Sequence, residues 1–252
     1  MLRVEGVSLA YNAEPILEGV DLEVKAGEFV SLIGPSGSGK TSILRAVTRL
    51  LAPQEGAVRL DVPDRDIGFL FQDDALLPWR TARQNVALGL RIRGIGRREA
   101  ETTADEWLSL LGLAGFEDRY PRQLSGGQRK RVAIAQVLVL RPKLVLMDEP
   151  FASLDAIVRT RITQELLNWV EREHLTVLLV THDLEEAISV SDVVYVLTQG
   201  PRATVQARHD IPIARPRDLL ETRRNPTFAP LLTQLWNELS DCAVEQLRTT
   251  AA

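Results

Sequence analysis

Eight consecutive residues constrain this chain more than any other stretch: Gly34-Pro35-Ser36-Gly37-Ser38-Gly39-Lys40-Thr41. Gly34, Gly39, Lys40 and Thr41 fit the spacing G-x-x-x-x-G-K-[ST]. In that pattern small residues let backbone N–H groups close on phosphate oxygens, the lysine meets the outer phosphates and the hydroxyl ligates Mg²⁺. Such a loop works between a strand and a helix, and both are readable here. Residues 29–33 form an apolar run rich in β-formers that stops at glycine, and Ile43, Leu44, Ala46, Val47, Leu50 and Leu51 then recur at helical spacing. The helix start turns its free N–H groups and the positive end of its dipole toward the same anion. A glycine-rich connector is the bland alternative, but a connector has no use for Lys40 and Thr41 directly after Gly39.

A second glycine turn, Leu124-Ser125-Gly126-Gly127-Gln128, precedes a helical segment over 129–140. Ser125 can cap that helix while Gly126 and Gly127 leave its first N–H groups open to an anion, which is chemically a second phosphate site. Taken alone, the turn reads equally well as an ordinary Ser-capped helix start. Residues 144–147 are a continuous apolar run ending in Asp148-Glu149-Pro150. That is the pattern of a buried parallel strand delivering carboxylates at its C-terminal edge, where α/β folds bind ligands. Two carboxylates beside a polyphosphate are costly unless a cation neutralises one and the other is wanted as a base.

The two glycine motifs in this order resemble the ATP-binding-cassette ATPases, the motor subunits of ABC transporters, and the resemblance covers nearly the whole chain. It implies an α/β P-loop NTPase folded as a single nucleotide-binding domain. A RecA-like core with an antiparallel β subdomain would occupy about 1–84 and 142–200, an inserted helical subdomain about 85–141, and a C-terminal extension with a helix about 201–252. ATP and Mg²⁺ are the implied ligands. The resemblance gives Asp148, with Thr41, to Mg²⁺ and makes Glu149 the general base for the attacking water. It makes Gln72 the glutamine whose amide oxygen ligates Mg²⁺ or orients water, and His182 the switch histidine at the γ-phosphate. Tyr11 falls where an aromatic stacks on adenine; a tyrosine packed in a β-turn region is the competing reading. Ser125, Gly126, Gly127 and Gln128 would close on ATP held by a second copy, so a head-to-tail dimer with two composite sites is implied, with Ser153-Leu154-Asp155 along its seam. Lys130 and Gln136 depart from the glutamine and arginine often found at those positions in the family.

Leu76-Leu77-Pro78-Trp79-Arg80 places apolar bulk where proline bars an ordinary helix interior. It resembles a segment in the ATPase subunits of nitrate, sulfonate and taurine importers on which a coupling helix of the channel docks. That reading predicts an exposed apolar patch, which monomeric soluble proteins avoid. It implies membrane permease subunits docked near Gln72 to Arg80, a solute-binding protein acting indirectly, and a place on the cytoplasmic face of the inner membrane. Two other readings compete. A cassette in DNA maintenance would carry long coiled coils or zinc modules between the glycine motifs, and this chain has neither sustained heptads nor paired cysteines there. A nucleotide sensor without turnover would have no need of Glu149.

The net charge of −4 gives no overall electrostatic argument for nucleic acid, so no nucleic-acid partner is expected. Cys242 is the only cysteine, which excludes an intrachain disulfide and fits a reducing compartment. Glu5 interrupts what a secretory signal would need to keep apolar, and no segment approaches the ~20 apolar residues of a membrane span, so the chain is expected to be soluble. Strand patterns over 2–9, 16–24, 58–60, 67–71, 175–181 and 193–197 end the β content at 197. Phe228, Leu231, Leu232, Leu235 and Leu239 predict a tail helix packed on the domain. Arg91, Arg93, Arg97 and Arg98 read as a solvated face, and His174 and His209 as solvated.

Overall fold

The computed structural model describes residues 1–12, 14–152 and 154–250, with side chains through residue 240. Its elements fall into two compact units, Met1–Asp64 with Val170–Ala252, and Arg65–Trp169.

In the first unit β1 (Leu2–Tyr11) pairs antiparallel with β2 (Glu14–Val24) on one side and β4 (Glu55–Leu60) on the other. Along β2, Leu17, Val20, Leu22 and Val24 are buried while Glu18, Asp21 and Glu23 are exposed, the alternation of a sheet covered on one face. The second block is different. β3 (Phe29–Ile33), β7 (Thr176–Val180) and β8 (Val193–Leu197) are buried at every residue, with β3 parallel to both neighbours, as expected where helices and sheets cover both faces.

Three findings in this unit revise the sequence expectations. A further strand, β9 (Val205–Asp210), runs antiparallel to β8. Its exposed Gln206, Arg208 and Asp210 alternate with half-buried Val205, Ala207 and His209, so it lacks the apolar run that marks its neighbours. Helix α1 (Lys40–Val47) ends before Leu50, which is 75% exposed. Arg49 takes a left-handed φ of 59° there, with Leu50 N donating to Arg45 O at 2.8 Å and Arg49 N to Ala46 O at 3.0 Å. This is a helix stop usually built with glycine, so the sequence carries no marker for it. His209, expected to be solvated, instead reaches Glu238 across 2.8 Å with only 14% of its side chain exposed; His174 is exposed as expected.

The C-terminal elements of this unit are α6 (Leu184–Val190), α7 (Leu219–Arg224) and α8 (Phe228–Thr250). Phe228 and Leu235 of α8 join Ile33, Ile188, Val196 and Ile211 in one core cluster, with Leu231, Leu232 and Leu239 packed against it. Burying each of the first two is worth about 1.5–3 kcal/mol, which is why the tail helix docks as its spacing predicts. Arg217 pins the connection to α8, its guanidinium donating to Ile213 O at 2.8 and 3.1 Å and to Ser191 O. Burial pushes its pKa below the usual arginine value, while Asp192 opposes that shift.

In the second unit β5 (Ile67–Leu70) pairs parallel with β6 (Leu144–Asp148). The expected helical stretch resolves into α2 (Ala82–Ile92), α3 (Arg97–Leu110) and α4 (Gly126–Leu138), which pack on one another. α5 (Ala156–Glu173) belongs to this unit through Trp169, whose ring stacks on Trp107 of α3 at 4.7 Å. Arg91, Arg93, Arg97 and Arg98 are all exposed as the sequence implies, and Arg93 in addition donates to Leu140 O at 2.8 Å, beyond the end of α4, and to Arg65 O. Among the described residues no helix is long and apolar enough to cross a membrane.

Candidate functional site

The first unit carries the candidate phosphate loop at the C-terminal end of β3. Gly39 holds the turn with φ 85° and ψ 13°, and its carbonyl accepts from Ser42 N at 2.9 Å and Ile43 N at 3.2 Å, starting α1. A Cβ at this position would stand 2.7 Å from Ile16 Cγ2 and 2.8 Å from Leu17 Cδ2, so both conformation and space require glycine. α1 has no side-chain cap and no acidic residue in its first turn, so no carboxylate of its own first turn opposes an anion there. Lys40 is 7% exposed and folds back over the loop, with Nζ donating to Gly34 O and Pro35 O at 2.8 Å each and 3.5 Å from Ser38 Oγ. Ser38 is buried, Ser36 and Gly37 are exposed at the tip, and Gln199 supports the tip by donating to Ser36 O at 3.2 Å. Thr41 follows, half-buried, in the first turn of α1.

Tyr11 stands at the end of β1, 37% exposed, its hydroxyl accepting from Arg45 Nη1 of α1 at 2.9 Å. The ring is therefore tethered to the helix that begins at Lys40. His182 is exposed between β7 and α6. Its neighbours are locked: Asp183 caps α6 by accepting from Glu186 N at 3.1 Å, and Thr181 Oγ1 accepts from Asp183 N at 3.1 Å while donating to Glu186 Oε2 at 2.5 Å. His182 also borders a pocket of about 670 Å³ shared with Leu232 and Trp236 of α8.

The second unit carries the acids and the second glycine turn. β6 is buried through Met147 and ends at half-buried Asp148; Glu149 follows with a left-handed φ of 42°. For a residue with a Cβ that conformation costs about 1–3 kcal/mol and persists only where the surroundings impose it, as functional sites do. The register Leu70↔Met147 brings the residues after β5, including exposed Gln72, to the same strand edge as Asp148. Ser125 caps α4 through a reciprocal box, its Oγ accepting from Gln128 N at 3.3 Å while Gln128 Oε1 accepts from Ser125 N at 2.9 Å. The two glycines differ. A Cβ on Gly126 would make only ordinary contacts, 3.8 Å from Arg129 Nη2 and 4.0 Å from Leu154 Cδ2, whereas one on Gly127 would lie 2.7 Å from Val158 Cγ1, so Gly127 is fixed by packing on α5. Of the seam triplet, Ser153 lies outside the described residues; Leu154 is buried, and Asp155 caps α5 by accepting from Val158 N at 3.0 Å.

In the segment expected to be an exposed patch, Trp79 is 70% exposed, but Leu76 and Leu77 are half-buried. Trp79 and 78% exposed Ile92 border a groove of about 590 Å³ with Arg80, Arg91 and Arg97. Asn85, fully buried on α2, staples the segment by accepting from Leu77 N at 2.7 Å and donating to Leu77 O, Arg80 O and Thr81 O at 2.9–3.2 Å. The helical pattern begins at Asn85, and an Asn at a buried helical position is itself a signal of a satisfied polar staple.

The residues fit the implied ligands. Glycine geometry, an uncapped helix start and Lys40 suit a polyphosphate. Among the described residues no group of three or more His, Cys, Asp and Glu could hold a metal on its own. Thr41, Gln72 and Asp148 offer hard oxygen donors, and Mg²⁺ in a phosphate site takes one or two carboxylates with phosphate oxygens rather than a full protein cage.

Residues 17–152 match the family profile described as ABC transporter. An uncharacterized ABC transporter ATP-binding protein of Methanocaldococcus jannaschii is 41% identical, over 98% of this chain and 94% of its own length. The bicarbonate transport ATP-binding protein CmpC of Synechococcus elongatus is 40% identical over 87% of this chain, which spans only 34% of that relative. The nitrate import ATP-binding protein NrtD of the same organism is 40% identical over 86% of this chain and 82% of its own length. Among solved structures, a dimeric post-hydrolysis ATP-binding cassette bound to ADP and Pi superposes with a TM-score of 0.75 at 34% identity, covering 85% of this chain and 100% of that one. The fold is that of the P-loop ATPase cassette.

Proposed function

The chain belongs to the ABC transporter family, and from that premise we propose that it is the ATP-hydrolysing subunit of an importer of the nitrate, sulfonate and taurine type. The observation that carries the reading is the loop at Gly39 and Lys40: a left-handed glycine, an uncapped helix start and a folded-back ammonium in the pattern that binds triphosphates. Relatives named for nitrate and bicarbonate support the importer assignment.

In this reading Lys40 and the first N–H groups of α1 neutralise the outer phosphates of ATP, and Tyr11 offers its ring to adenine. Mg²⁺, held by Thr41, Asp148 and Gln72, would supply charge neutralisation on the phosphate oxygens. Glu149 accepts the proton of the attacking water, and His182 contacts the γ-phosphate. Little covalent chemistry falls to the protein, so catalysis is positioning plus electrostatics. Ser125, Gly126, Gly127 and Gln128 serve ATP bound to a second copy of the chain, which makes the working form a dimer. ATP moves that dimer only to the extent that it binds the closed state better than the open one. Permease subunits dock at Trp79 and its arginine-flanked groove, placing the subunit at the cytoplasmic face of the membrane with a solute-binding protein acting through the permease.

A phosphate-release assay on the chain copurified with its membrane subunits tests the reading. Turnover dependent on Glu149 is expected; release at background in that complex would replace the ATPase with a nucleotide sensor.

A further inference from the structure

Lys130 is the largest fully buried side chain of the described residues, at 0% exposure, and it is a cation. A buried ammonium is costly unless its three donors are satisfied and its charge is met. Here all three find acceptors on one short segment: Phe71 O at 3.3 Å, Gln72 O at 3.1 Å and Asp74 Oδ1 at 3.1 Å. Asp74 is held a second time by Arg129 Nε at 3.1 Å, and Arg129 also donates to Leu124 O at 2.9 Å. Both basic residues stand on the first turns of α4, four and five positions after Ser125. Next to Asp74, Ala75 takes a left-handed φ of 50°, a conformation a non-glycine residue keeps only when its surroundings impose it.

We propose that Lys130 is a positioning residue that locks the segment carrying Gln72 to the start of α4, so that Gln72 and the Ser125-Gly126-Gly127 turn move as one body. The inference rests on the nucleotide reading given above for Gln72 and for the glycine turn. The argument from residue type is direct. An apolar side chain would fill the same volume at no cost in desolvation, and a lysine is justified there only by what its donors hold. What they hold is the main chain of Gln72 itself, the one residue between β5 and α2 assigned to metal and water. A glycine turn that closes on the phosphate of a second copy would thereby report its position to Gln72 through two carbonyls and a carboxylate, with no intervening loop to absorb the motion. Lys130 acts on the reaction only through Gln72, and touches neither phosphate nor water.

The test uses the full chain and four variants, Lys130→Met, Lys130→Leu, Lys130→Gln and Gln72→Ala, with MgATP as substrate. Lys130→Met keeps the shape and removes the donors, and Lys130→Leu guards against a Met variant that does not fold. Either is expected to lower kcat about tenfold with KM for ATP changed by less than about twofold, the split expected of lost positioning rather than lost binding, whereas Lys130→Gln, the residue often found there in the family, keeps two donors and should stay within about twofold of the parent. Adding Lys130→Met or Lys130→Leu to Gln72→Ala should lower kcat no further than Gln72→Ala alone, because both changes disable the same group. Amide exchange in peptides covering 71–80 should accelerate while that of 82–92 stays as in the parent. Unchanged exchange in 71–80, or losses in kcat that multiply in the double variant, would overturn the proposal. Gln72→Ala with full kcat would instead remove the role of Gln72 on which the proposal rests, and both readings would fall.

Discussion

Replacing Gly39 by alanine separates the two reasons that position is glycine. Its φ of 85° lies in the left-handed region, where a Cβ costs roughly 1–2 kcal/mol. The new methyl would also stand 2.7 Å from Ile16 Cγ2 and 2.8 Å from Leu17 Cδ2, and Leu17 is only 1% exposed, so β2 has little room to yield. Overpacking of that kind costs about 1–3 kcal/mol. The two add to roughly 2–5 kcal/mol. Gly37 supplies the control. Its φ of 80° carries the same conformational cost, but nothing lies within 4 Å of its would-be Cβ. Gly37→Ala should therefore lose only the first part, about 1–2 kcal/mol. Urea unfolding of the full chain, followed by circular dichroism, gives both numbers, and titration calorimetry with ATP gives the functional counterpart. Gly39→Ala should lose most of its ATP affinity because the first acceptor carbonyl of α1 is displaced with the turn. Equal destabilisation of the two variants would refute the packing argument, and unchanged ATP affinity in Gly39→Ala would refute the assignment of the loop as the phosphate cradle.

Other outcomes follow from single residues. Lys40→Ala should raise the Kd for ATP at least tenfold, about 1.4 kcal/mol, in the same calorimetry, and unchanged affinity would contradict the role of its ammonium. Glu149→Gln should bind ATP as the parent does, lose about 10²–10⁴ in turnover and accumulate as an ATP-bound dimer in light scattering; monomers alone would count against the composite site. Trp79→Ala should leave ATP affinity intact and abolish copurification with membrane subunits, and retained copurification would move the docking surface elsewhere. Arg217→Met should cost about 2–3 kcal/mol in unfolding, because Ile213 O and Ser191 O lose charge-assisted donors in a buried setting, and a loss below 0.5 kcal/mol would show the connection to α8 held by apolar packing alone.

What was legible in the sequence is what is written in local pattern. β3, β7 and β8 are buried on both faces and announce themselves as apolar runs, and the turn over 34–41 is a fixed spacing whose Gly39 takes the left-handed conformation that glycine permits. The tail helix of Phe228 and Leu235 was readable for the same reason. The misses share a different cause: each depends on a partner distant in sequence. β9 exists because β8 offers it an edge, and its own residues are polar enough to pass for loop. α1 stops at Arg49 through two backbone hydrogen bonds, with none of the glycine that normally marks such a stop. His209 is ordered by Glu238, 29 residues away. Lys130 was visible as an unusual residue for the family, but its burial against the Gln72 segment, 58 positions upstream, was not.

The two helices that begin at glycine turns are built with different starts, and the difference bears on how such a pair can be ordered in time. α1 opens with no side-chain cap, so its first N–H groups and the Lys40 charge act together on whatever anion is present. α4 opens with a complete capping box, in which Ser125 Oγ already occupies Gln128 N and Gln128 Oε1 already occupies Ser125 N. Only the groups at Gly126 and Gly127 and the remaining capacity of the serine hydroxyl are left to meet a phosphate. Neither glycine carries charge, and the basic residues that follow, Arg129 and Lys130, are turned to Asp74. An anion in water gains little from such a turn, whereas α1 offers a charge and a helix start without a side-chain cap. In the proposed composite site a triphosphate would therefore fill the Lys40 loop first, and the Ser125 turn would engage it only once the anion is held and partly desolvated, when each remaining hydrogen bond is worth more. In the composite site proposed above, that asymmetry would set the order, nucleotide before closure, which is the differential affinity that a motor driven by binding requires.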